Sequence, residues 1–116
     1  MKDRIEFLES IAKKAGIEVR RDTDGTLQDR PVLVRPHYVQ GWLYGGTEWN
    51  PMRESADAFE LAVLLQINVT FGNDGEAYTV ARRHEEDSGK RYHWESDRFA
   101  ATREAIVVVA SKIQEG

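Results

Sequence analysis

Three histidines, His37, His84 and His93, are the side chains best suited to metal ligation or general-base work. His84 and His93 fall on segments expected to pair as strands, and Glu85 or Glu95 beside them would complete a zinc site or an acid–base cluster. Their spacing argues against both. No His-x-x-x-His or similarly tight pair is present, His84 opens a charged loop, and His93 is expected on the face opposite Tyr92 and Trp94. With no cysteine, the chain has no disulfide, thiolate zinc site or cysteine nucleophile. Serine hydrolysis would need Gly-x-Ser-x-Gly, a setting that Ser10, Ser55, Ser88, Ser96 and Ser111 all lack. Gly41 and Gly46 have the spacing of a phosphate loop, but Thr47 stands where the lysine belongs. Asp22-Thr23-Asp24-Gly25 starts like a calcium loop and fails at the sixth position, Leu27, where glycine is needed. We expect no catalytic residue, no metal and no cofactor, and read the Asp-Gly pair as a turn.

Two segments remain that could recognise a partner. Arg82, Arg83, Lys90 and Arg91 lie close to Tyr92 and Trp94, a mixture able to hold single-stranded nucleic acid. Glu85, Glu86 and Asp87 in the same loop nearly cancel that charge, so a solvated hairpin tip is the leading reading and a nucleic-acid site at Arg82, Arg83, Arg91 and Tyr92 the alternative. The second segment, residues 36–51, brings together Tyr38, Trp42, Tyr44 and Trp49 with Gly41, Gly45 and Gly46, and holds a single charge, Glu48. Tyrosine and tryptophan dominate binding hot spots, and glycines let a loop present them closely. The same rings could equally plug the end of a small core. Residues 38–48 are expected to form a surface loop with Trp42 and Tyr44 as anchors and Trp49 buried.

The elements that must position these residues are legible from periodicity and caps. Ile5, Leu8, Ile11, Ala12 and Ala15 have helical spacing over 2–15, ending at Gly16, a residue that takes the left-handed C-terminal position without strain. Ile17 and Val19 alternate with Glu18 and Arg20 as a short strand, and a second strand centred on Val32–Val34 is confined by Pro31 and Pro36. Ser55 caps a helix over about 56–66 that buries Ala58, Leu61, Ala62 and Leu65. Residues 67–71, 77–83 and 91–95 then form a meander, turning at Asn73-Asp74-Gly75. Ser96 caps a last helix whose inner stripe is Phe99, Thr102, Ile106, Val109, Ala110 and Ile113. Ile106, Val107, Val108 and Val109 point in four directions, so that helix must be covered on more than one side, by its own sheet and helix or by a second copy in a homodimer. The class is α+β, with one antiparallel sheet and helices packed on it, in a single domain over 1–116.

Length and composition bound the function. A chain of 116 residues and 13.3 kDa suits one domain that buries about two thirds of its surface. A net charge of −4 disfavours nonspecific binding to nucleic acid. No apolar stretch approaches a membrane span, and Met1-Lys2-Asp3-Arg4 leads into no signal-peptide core, so a cytoplasmic protein is expected.

Trp49-Asn50-Pro51-Met52, followed by Asp57-Ala58-Phe59, Leu61-Ala62 and Thr102-Arg103-Glu104-Ala105-Ile106, resembles the phage ABA sandwich family. The resemblance covers about residues 42–113, its distinctive part is the Trp-Asn-Pro opening, and residues 1–35, the first helix and hairpin, lie outside it. It implies an α-β-α sandwich, a phage or prophage origin in a bacterial host cell, and no catalytic residues. Together with the absent signatures, it leads us to expect a noncatalytic module that binds a host or phage protein.

Overall fold

The computed structural model describes residues 4–22, 32–83 and 89–113, and the chain divides into two compact units, Met1–Asn50 and Pro51–Gly116. In the first, the apolar stripe of α1 (Arg4–Ala15) buries Leu8, Ile11 and Ala12 and packs against β2 (Val32–Val39). The helix stops as the sequence predicts: Gly16 takes φ +75°, its N–H donates to Lys13, and the Ile17 N–H donates to the Ala12 carbonyl. Because the closing turn of the helix claims Ile17, the strand expected at 17–20 starts later, as β1 (Arg20–Asp22). The predicted turn, Asp22-Thr23-Asp24-Gly25, starts at the last residue of β1, and the rest of it, 23–25, lies outside the described residues.

β2 is the middle strand of a three-stranded antiparallel sheet, between β1 and β3 (Trp42–Glu48). The segment expected to be a surface loop, 38–48, is thus the end of β2, the turn and the second strand of a hairpin. Gln40 and Gly41 turn the chain at φ 51° and 83°, the paired left-handed values that match the twist of two strands. β2 also continues through Pro36, beyond its expected end. Its pairing with β1 stops at Val34, so the proline, which has no N–H to give, has a neighbour on one side only.

In the second unit, α2 (Ser55–Leu64) is followed by β4 (Asn68–Asn73), β5 (Ala77–Arg82) and β6 (Arg91–His93), an antiparallel meander, and by α3 (Arg98–Lys112). The α+β class is as expected. The single sheet is not: the described residues form two sheets of three strands, because each hairpin pairs only its own neighbours and α2 separates β3 from β4. Both expected caps move by one residue. Ser55 is the first residue of α2, preceded by Glu54, and its hydroxyl accepts from Arg103 at 3.1 Å. Asp97, not Ser96, caps α3, its carboxylate accepting from Phe99 N and Ala100 N, each at 3.0 Å.

α2 buries Ala58, Leu61 and Ala62, with Leu65 just beyond it, as predicted. α3 packs on β5 and β6 through one side and on α2 through another, which covers Ile106 and Val107 and half-covers Val108 and Val109. Its buried stripe is Ala101, Ala105, Ile106, Val107 and Ala110. The expected member Phe99 is displaced from it, because two neighbours, rather than one, set which side is inside. Among the described residues no helix is long and apolar enough to cross a membrane.

Candidate functional site

The second unit carries an open groove of about 610 Å³ between α2, α3 and β4. Helical spacing supplies two walls: Ala58, Phe59, Ala62 and Val63 from α2, and Phe99, Thr102, Arg103 and Ile106 from α3. The strand period supplies the floor, since Val69 and Phe71 are two residues apart and share a face. Phe59, Val63, Phe71 and Phe99 are each more than half exposed, Phe59 the most at 69%. Arg103 is the one ionisable residue in the lining, and two of its N–H groups are committed, Nε to the Met52 carbonyl at 3.0 Å and Nη1 to Ser55. Apolar walls with a few fixed polar groups bind and orient; they offer no acid–base pair for proton transfer.

Beside the floor, on the same face, the sheet is tied to α3 through hydrogen bonding. Thr79, fully buried, shares a 2.9 Å hydrogen bond with Thr102 and accepts from Trp94 Nε1 at 2.9 Å. Trp94 in turn meets Phe71 edge to face, centroids 6.1 Å apart, and supports the floor of the groove. On the opposite face, Asp74 at the β4–β5 turn accepts from Arg91 at 2.8 Å and pairs with His93 at 3.1 Å. The His93 bond first, and then the Arg91 bond, hold the Asp74 carboxyl down at about 2. Tyr78 completes this cluster, with the Arg91 guanidinium 4.7 Å from its ring centroid and His93 edge-on at 5.8 Å.

The residues singled out from sequence are scattered. Of the aromatic segment, Trp42 is 79% exposed at the hairpin turn, whereas Trp49 is 1% exposed and belongs to the core. Tyr38 is half exposed, but its hydroxyl donates to Glu18 at 2.7 Å and accepts from Arg20 at 3.2 Å; the Glu18 bond raises its pKa. The Tyr44 side chain lies outside the described ones. His37 bonds Thr47 Oγ1 at 2.9 Å, and His93 lies with Asp74 on the face away from Trp94; His84 is outside the described residues. Among the described residues no group of three or more acidic or histidine side chains is placed to hold a metal ion.

The cations of the basic hairpin have separate neighbours, Lys90 lying 5.1 Å from the Tyr92 ring centroid. Arg91 is engaged by Asp74, Arg83 Nε donates to the Leu65 carbonyl at 3.2 Å, and Arg82 borders the end of β4 beside Asn68. Tyr92 is half-buried, and burial, ahead of the Glu104 carboxylate, raises its phenol. What sequence reasoning missed is the groove itself. Its one sequence signal is Phe59, which falls beside the buried Ala58-Leu61-Ala62-Leu65 stripe of α2 rather than on it.

Comparison of the chain with models of protein families, with curated proteins and with solved structures finds no match.

Proposed function

We propose that the chain is a noncatalytic protein-binding module whose second unit takes an apolar segment of its partner into the α2–α3–β4 groove. The observation behind this reading is that four large apolar side chains, Phe59, Val63, Phe71 and Phe99, stay more than half exposed around one depression of about 610 Å³. Scattered apolar residues on a surface are ordinary, but a contiguous set lining a concavity marks an interaction site. A phage or prophage origin and a cytoplasmic setting in a bacterial host belong to the same proposal; they rest on the resemblance at Trp49-Asn50-Pro51-Met52. The proposal needs no homodimer through α3, because Ile106 and Val107 are already covered within the unit.

The test is site-directed photo-crosslinking in bacterial cells. A photoreactive phenylalanine analogue in place of Phe59 is expected to give a discrete protein adduct, and the same analogue in place of the exposed Lys13 on α1 is not. The same adducts at both positions, or none at Phe59, would refute the reading.

A further inference from the structure

The open side of the groove is also the open edge of a sheet. β4 pairs with β5 alone among the described residues, so no described strand lies along the other side of its backbone. Its sequence, Asn68-Val69-Thr70-Phe71-Gly72-Asn73, contains neither the charges nor the proline by which edge strands are usually guarded. The helical layer above is wider than the sheet. α3 rests on β5 and β6, and α2 packs beside α3. Packed helices stand about 8–10 Å apart and paired strands about 4.8 Å, so α2 reaches over the position of a fourth strand.

We infer that the occupant is a single extended segment of a partner protein, added as a fourth strand along the edge of β4, with apolar residues at alternate positions turned into the groove and an acidic residue near Arg103. This rests on the binding-module reading and specifies its partner. Strand addition uses both features at once: the backbone of β4 supplies hydrogen bonds and the groove beneath supplies sites for every second side chain. Charge points to the acid. In a chain of net charge −4 the described residues that line the groove include one cation, Arg103, and no acidic residue. Walls that are more than half exposed are too open to enclose a small ligand. A second copy fits worse. Joining two β4 edges about a two-fold axis keeps both helical layers on one face and drives the two α2 helices closer than helix packing allows.

The full chain is panned against a random peptide display library, and enriched peptides are synthesised and bound to the wild type and to Phe59→Ser and Phe99→Ser, whose folding is checked by circular dichroism. The expected peptides alternate apolar and polar residues and include an acid. They bind about tenfold or more weakly to whichever variant retains its fold, and they slow amide exchange along β4. Peptides with helical i, i+3, i+4 spacing that are still lost on Phe59→Ser would overturn strand addition and leave the binding-module reading standing. No enrichment, or binding indifferent to both variants, would overturn both. A solution mass of twice 13.3 kDa that reverts in Phe59→Ser would give the groove to a second copy and overturn the proposal.

Discussion

Trp42 and Trp49, seven positions apart on one segment, have opposite roles. Trp49 is among the largest fully buried side chains, and replacing it with alanine should cost about 3–5 kcal/mol in a denaturant titration. Trp42→Ala, at a ring 79% exposed, should change stability by less than about 0.5 kcal/mol. Sequence reading set Trp49 inside and Trp42 on a surface loop; the burial of the one and the exposure of the other agree with it, but Trp42 opens a strand of the β2–β3 hairpin rather than lying in a loop. Asp74 makes a prediction in pH. Its carboxyl is held at about 2 against an ordinary 3.8, so its contribution to stability is complete above the ordinary value and is lost as pH falls toward 2. Asp74→Asn should therefore be less stable than the wild type at neutral pH, and the difference in melting temperature should shrink across that interval. A constant difference down to pH 2 would mean that the Arg91 and His93 pairing adds nothing.

α1 and α2 end in the same way, with different residues, whereas α3 runs out through Ile113 in an extended conformation. Ile17 N–H bonds Ala12 beyond Gly16, and Ile67 N–H bonds Ala62 at 2.8 Å beyond Gln66, which takes φ 56°. A left-handed conformation strains a residue with a Cβ by about 1–2 kcal/mol. Gln66→Gly removes that strain and gives back part of it in chain entropy, so a gain of about 0.5–1 kcal/mol is expected by thermal or chemical denaturation. The contrast also explains which elements could be read from sequence. The end of α1 was plain because glycine stands there, and the β4–β5 hairpin because Asn73-Asp74-Gly75 is a strong turn. The β2–β3 hairpin was hidden: Gln40-Gly41 resembles no favoured turn pair, and Pro36 disguises the strand before it. Periodicity placed Phe99 on the inner stripe of α3, but a stripe shows which residues lie together, not which side a neighbour will cover.

At the scale of the whole chain, local turn signals could not say how many sheets the strands would form, and the groove followed from that count. It exists because, among the described residues, the second sheet stops at three strands beneath two helices, an arrangement that no single segment encodes. Each unit has its own buried set, Leu8, Ile11, Ala12, Ile17, Leu33 and Trp49 in the first, and twelve apolar residues from Ala58 to Ala110 in the second. Domains of about this size fold alone when their core suffices. Residues 51–116 produced alone should keep a cooperative unfolding transition and the helical circular dichroism of α2 and α3; a featureless melt would show that the second unit needs the first. The three tryptophans give the chain a built-in optical readout. Trp42 is open to solvent, Trp49 is enclosed with no partner for its indole N–H among the described residues, and Trp94 is half-buried, bonded to Thr79 and in edge contact with Phe71. Iodide should quench the red-shifted emission of Trp42 first and spare the blue emission of Trp49, while occupation of the groove should register in Trp94, with no dye or label attached.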